Sequence, residues 1–267
     1  MRVSSMIRKK PANRFDLSSF VRLSFWILFF TFILLSWAWL FIRNEGSIAI
    51  STSALSSNFA AALHTSISWP DLAAMWALMV LAMMLPTLLP MLRVLGDIVS
   101  NKPRASFVLS SFIGGYVIVW LFFSFALSGV QRGLTELSLV DPGGALLSPI
   151  ASVFLLILSG LYQFSNLKQA CLKSCQVPMF FFMSNWRDGI GGAALMGLRH
   201  GAICVGCCWA LMLLGFVGGL MNLVWMGIAT VLMVVEKWPA VGALMRPLIG
   251  LGLIALGMSY GAYFLVL

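Results

Sequence analysis

The chain has 267 residues, 61% of them hydrophobic and only 9% charged. Soluble domains carry about 25% charged residues, so this composition excludes an aqueous globular protein and leaves little sequence for a separate soluble domain. The formal charge of +9 does not signal nucleic acid, because the basic residues sit ahead of the first apolar run and in alternate loops, as membrane topology requires.

Windows of about 20 apolar residues set the elements. Residues 1–19 form a basic cytoplasmic tail, and Arg2, Arg8, Lys9, Lys10, Arg14 and Arg22 lie in it or at the very start of the first apolar run. The first span, 20–42, is too long for a secretory signal and has no convincing small-residue cleavage site, so it reads as an anchor helix. An outer loop rich in Ser, Ala and Asn covers 43–69. The second span, 70–90, places Met75, Met79 and Met83 four residues apart, joined by Met84, ahead of Pro86 and Pro90. Those prolines should kink its inner end and free backbone carbonyls.

Spans three and four cover 106–129 and 145–163. The inner segment at 164–188 reads as a long cytoplasmic loop holding Cys171-Leu-Lys-Ser-Cys175, and its Met179–Trp186 stretch is apolar enough for the interface. Spans five, six and seven cover 190–214, 217–236 and 247–266. Gly215-Phe216-Val217-Gly218-Gly219 is the break between spans five and six, which should form a tight hairpin. No internal repeat is visible.

The resulting fold is all-α, a polytopic membrane bundle of about seven transmembrane helices over residues 20–267. Fourteen basic residues then lie inside, against Arg43 and Arg132 outside, with Arg199 within span five. This bias puts the N-terminus in the cytoplasm and the protein in a multi-pass inner (cytoplasmic) membrane location. The lipid bilayer is its first partner.

Span five carries the chemistry. Met196, His200, Cys204, Cys208 and Met212 follow one another every four residues, and Cys207 adds a third thiol. A four-residue step advances about 400° on a helix, so the row winds slowly down one face. Relative to His200, Cys204, Cys207 and Cys208 lie at about +40°, −20° and +80°, yet the set climbs about 12 Å. One straight helix therefore cannot bring four ligands onto a tetrahedral zinc ion. A pair such as Cys204 with Cys207 or Cys208 suits low-coordinate Cu(I), with a methionine or another helix completing the shell. Singly, each Cys or Met is an ordinary filler of an apolar helix. Arg199 is explained by snorkelling, and Glu236-Lys237 could pair with it or seal the bundle.

Cys171 and Cys175 form an i,i+4 pair able to hold one thiophilic ion at the inner mouth. None of the five cysteines lies in an outer loop, so free thiols or metal thiolates are expected rather than disulfides. All eight acidic residues lie outside the spans or at their ends, which excludes a hard-cation site and a buried carboxylate relay. There is no GxxxxGK(S/T) loop for nucleotide hydrolysis, and two histidines are too few for a multi-histidine centre.

Several segments resemble a bacterial family of predicted metal-binding integral membrane proteins. They are Met83-Met84-Leu85-Pro86 with Met75 and Met79; Tyr162-Gln163, Leu167-Lys168, Cys171-Leu172, Cys175 and Pro178; Gly206-Cys207-Cys208-Trp209; Met221-Asn222 with Trp225-Met226; and Glu236-Lys237. The resemblance implies a helical membrane fold with a metal site on these cysteines and methionines.

The expected function is binding, and transport or delivery, of a soft transition-metal ion, with Cu(I) favoured over Zn. His200, Cys204, Cys207 and Cys208, with Met196 and Met212, would form a central site. Met75, Met79 and Met83 would form a facing path, and Cys171 and Cys175 an inner acceptor. A metallochaperone or partner membrane subunits are candidate partners. Two other classes remain: a membrane-embedded metalloenzyme or redox protein, against which the lack of a general base counts, and a structural subunit of a larger complex, for which the Gly197–Gly201 small-xxx-small spacing is suited.

Overall fold

The computed structural model describes residues 69–266 except 101–103, 142 and 221, together with scattered helical positions between Ile27 and Ala38. The basic tail, most of the first span and the outer loop before Trp69 lie outside the described residues.

Nine helices follow in this part of the chain. They are α1 (Trp69–Val99), α2 (Ala105–Glu136), α3 (Pro149–Tyr162), α4 (Asn166–Gln176), α5 (Pro178–Asn185), α6 (Gly189–Leu213), α7 (Gly215–Gly218), α8 (Leu223–Glu236) and α9 (Gly242–Val266). Among the described residues, the only pairing of β type is an isolated bridge between Val140 and Leu146.

Among the described residues, four helical runs are long and apolar enough to cross a membrane: α1, α2, the continuous stretch Gly189–Gly218, and Gly242–Leu265. The pair α3 and α4 gives a fifth only if its 63° bend is counted within one span. Six of the expected spans fall in this part of the chain, and two of them are shorter helices than expected. The span expected at 145–163 becomes α3, with 14 residues, and that expected at 217–236 becomes α8, also with 14 residues. At 1.5 Å per residue each covers about 21 Å, short of the roughly 30 Å hydrocarbon core.

The inner loop expected at 164–188 is not a loop. Ser165 caps α4 by accepting from the Lys168 N–H, and Pro178 starts α5 at a position that needs no N–H partner. On α4 the residues Lys168, Leu172 and Cys175 are buried. Their i, i+4, i+7 spacing is a single stripe, and it packs on α6. On α5, Phe181 and Phe182 are buried while Met179, Phe180 and Met183 face outward.

Two elements differ in extent for readable reasons. Pro86 and Pro90 lie inside α1, which continues to Val99 instead of ending near residue 90. Near them the Met84 carbonyl accepts from the Thr87 hydroxyl at 2.8 Å and from the Tyr116 hydroxyl at 3.3 Å. These bonds fasten the proline-bearing stretch of α1 to its own next turn and to α2. At the other end of the bundle the chain reverses at Gly219, whose φ of 86° suits a residue without Cβ. Asn222 then caps α8 by accepting from the Trp225 N–H.

The tightest packing is that of α2 on α6. A Cβ at Gly197 would run into the Phe112 backbone carbonyl, and one at Gly115 into the Ala194 carbonyl. The small-xxx-small face of Gly197 and Gly201 is therefore spent within the chain, against Phe112, Tyr116 and Val119 of α2. Outward, α2 exposes Phe107, Phe122 and Phe125, and α9 exposes Leu244, Leu248 and Leu251. Such faces suit acyl chains.

The close approach sets a test. Gly197→Val should lower the thermal midpoint in detergent strongly, by more than the roughly 1–3 kcal/mol of ordinary overpacking, because backbone blocks the new side chain. Gly114→Ala, with nothing within 4 Å of its added carbon, should stay within about 1 kcal/mol of the parent.

Candidate metal centre

The face of α6 singled out by its four-residue repeat points inward. Met196, His200, Cys204, Cys208 and Met212 are all buried, as is Cys207. Cysteine and methionine tolerate this apolar interior, whereas α6 turns Arg199 outward.

A second helix supplies what α6 alone lacks. Cys175, on the buried stripe of α4, comes to 4.0 Å from Cys207, sulfur to sulfur. The sulfurs of Cys175, Cys204 and Cys207 all lie within 4.8 Å of one another. At a metal–thiolate bond of roughly 2.3 Å, as for zinc, trigonal ligation spaces its sulfurs about 4 Å apart. The trio is therefore close to the spacing a three-coordinate thiophilic ion demands. Cys208 stands 3.3 Å from Cys207, and the Cys207 thiol donates to the Cys204 carbonyl at 3.1 Å. All five cysteines are free.

Three further side chains reach the same point. Lys237, which caps α8, donates to Cys204 Sγ at 3.0 Å and to the Thr87 hydroxyl of α1 at 2.8 Å. Only 8% of Lys237 is exposed. An ammonium taken out of water needs a compensating anion. Its nearest candidate here is the sulfur, since Glu236 is engaged elsewhere. The Tyr116 hydroxyl lies 3.3 Å from Cys204 Sγ, so α1, α2, α6 and α8 all converge on Cys204.

The remaining acid and base are paired. Lys168 Nζ meets Glu236 Oε2 at 2.8 Å, and both side chains are almost wholly buried. The expectation that Glu236 could pair with Arg199 is corrected: its partner is Lys168, because α4 folds back onto the bundle.

The other expected site residues divide into groups. Cys171 is half-buried and separate from the trio. Its sulfur lies over Gly206 of α6, 2.9 Å from where a Cβ would stand. Of the expected inner pair, Cys175 joins the trio while Cys171 stays against the Gly206 face of α6. His200 does not join the thiol group. Its ring sits among Phe181, Tyr116 and Phe112 at centroid distances of 5.2, 5.7 and 6.0 Å, and Nδ1 has no hydrogen-bond partner among the described residues. Met75, Met79, Met83 and Met84 are buried along α1 in the same core as the thiols.

Sequence reading did not bring Lys237, Thr87 and Tyr116 to Cys204. A charged residue directly after a long apolar run was the one available signal, and it reads equally as a solvated helix end.

An all-helical, apolar bundle with three thiols from two helices turned onto one another is the architecture of a protein with a candidate site for a soft metal ion. The sequence model of the PpoB2 family, described as a copper chaperone, matches residues 73–260, from the second turn of α1 through most of α9. The chain belongs to this family. No curated protein and no solved structure matches it.

The burial pattern predicts thiol reactivity. With the folded protein in detergent, a polar alkylating reagent should modify Cys171 first and leave Cys175, Cys204, Cys207 and Cys208 slow. Denaturation should release all five, as counted by mass spectrometry. Fast modification of Cys204 in the folded state would contradict the geometry.

Proposed function

We propose that this protein holds Cu(I) on the thiolates of Cys175, Cys204 and Cys207 and passes it on within the cytoplasmic membrane. The observation that carries this reading is the meeting of three buried sulfurs from two helices beside the Lys237 ammonium. Membership of a copper-chaperone family supports the choice of metal. So does the donor set: soft sulfur with no carboxylate in the trio favours Cu(I) over harder ions.

Lys237 has a defined part in this scheme. A thiolate cluster around a monovalent ion keeps net negative charge, which an apolar interior penalises. The ammonium at Cys204 offsets one unit of it. Cys208, though 3.3 Å from Cys207, lies outside the group of mutually close sulfurs and takes no share of the ion. His200 takes no direct part and packs the aromatic wall behind the cluster.

The methionines give the cargo a direction. Met84 and Thr87 of α1 stand at the level of the thiols, while Met75 lies about 14 Å back along the helix. That end of α1 is where Trp76 donates to Gln131 of α2 and meets Phe216 of α7 at a tilt. In the orientation set by the basic residues, with the N-terminus inside, this is the outer end. Met75, Met79 and Met83 then form a thioether path from the outer side to the thiols, and the cluster lies nearer the cytoplasm.

Copper analysis of purified protein loaded with Cu(I) tests the proposal. The unaltered chain should keep about one Cu(I) against a competing chelator. Cys175→Ser, Cys204→Ser and Cys207→Ser should each lose it, and Lys237→Met should hold it more weakly. Equal copper content across the set would end the proposal. Because thiols must give up protons to bind, retention should also fall steadily as pH is lowered, and the lost ion should return on raising it.

A further inference from the structure

The third sulfur of the trio depends on a helix with weak support of its own. α4 has 11 residues, a polar composition (NLKQACLKSCQ) and a 63° bend separating it from α3. An isolated helix of that length is marginal, so tertiary contacts must hold it. Cys175 is the only member of the trio that α6 does not carry. Whatever places α4 therefore decides whether the site has two sulfurs or three.

Two grips place it, and both close on one residue. Near its start, Lys168 Nζ meets the Glu236 carboxylate at 2.8 Å. At its last residue, Gln176 Nε2 donates to the Glu236 backbone carbonyl at 2.7 Å. Lys168 and Gln176 bracket both cysteines of α4. Gly242, at the start of α9, is the gap that admits this knot: a Cβ there would strike the Glu236 carbonyl and the Gln176 amide. The neighbouring residue, Lys237, holds Cys204. Positions 236 and 237 thus fix the ligand from α4 and the ligand from α6 against each other.

A buried ion pair is a weak source of net stability, but it is demanding in geometry, and setting registry is its best-attested use. We infer that Lys168 and Glu236 are positioning residues for the proposed copper site, holding Cys175 in place so that a soft monovalent ion takes three sulfurs and is retained. When the pair parts, Cys175 withdraws with α4, and the ion is left on the two remaining sulfurs of α6. Two-sulfur Cu(I) is the form more readily captured by an acceptor thiol. The half-buried Cys171, one turn before Cys175, is the first sulfur such an acceptor would meet. No redox step is involved, since the ion only exchanges ligands.

This inference rests on the copper reading, and one experiment separates the two. Full-length protein in detergent is loaded with Cu(I), and in parallel with Ag(I). The number of sulfur neighbours is read by X-ray absorption and the release rate by transfer to a chelator. The unaltered protein should show three sulfurs. Glu236→Gln and Lys168→Met should show two, with affinity about 10- to 100-fold lower, the usual range for removing the support of a metal ligand. The exchanged pair, Lys168→Glu with Glu236→Lys, should regain three. Gln176→Met removes the second grip without stranding a charge, so it should fold even where the charge variants do not, and should release the ion faster. A purely structural role would lower the thermal midpoint and leave three sulfurs around the ion. Three sulfurs in the folded variants, or unchanged release from Gln176→Met, would overturn the inference while the copper reading stands. An unaltered protein that binds neither ion would overturn the copper reading itself.

Discussion

A buried ammonium must be met by negative charge, and at Lys237 the partners on hand are a sulfur and a hydroxyl. The rest of the site is arranged around that contact. In water a lysine beside a cysteine is unremarkable, because solvent carries the charge. In an apolar bundle the same pair ties the state of Cys204 to that of Lys237. Thr87 accepts from Lys237 and donates its own hydroxyl hydrogen bond to the Met84 carbonyl. The ammonium is thereby anchored to α1 as well as to α6, and Tyr116 adds α2.

Helix packing makes the contact possible. Glycines at 115, 197 and 201 let α2 approach α6 until backbone meets backbone. That approach carries Tyr116 to the level of Cys204. On the other side of α6, Gly206 leaves room for the Cys171 sulfur and so for α4 as a whole. The Tyr162 hydroxyl donates to the Gly206 carbonyl from the end of α3. Small residues on two sides of one helix thus decide which neighbours reach the thiols, with sulfur at the meeting point.

The same arrangement bears on the face and the acid that the sequence singled out. The small-xxx-small face that would suit contact with another subunit is occupied by the chain's own α2. The buried acid Glu236 meets Lys168 through Oε2 and stands outside the sulfur trio. The sulfur cluster keeps the Lys237 ammonium beside it as counter-charge.

Much of this protein was legible before any coordinates. Apolar runs located the long helices, because a chain in lipid must satisfy its backbone internally and a helix does so within a single segment. The four-residue repeat through His200, Cys204 and Cys208 told which side of α6 faces inward, because helix period and burial are local properties. Local rules could not say that α4 folds back, nor that Cys175 leaves Cys171 to join Cys204 and Cys207. They also could not pair Glu236 with Lys168 instead of Arg199. These contacts join residues 32 to 68 positions apart, and no helical period reaches that far. The sequence by itself settled which side chains were available and which way α6 would turn. Tertiary structure alone decided which sulfurs meet and which cation stands beside them, because the geometry a metal site needs is made where separate helices cross.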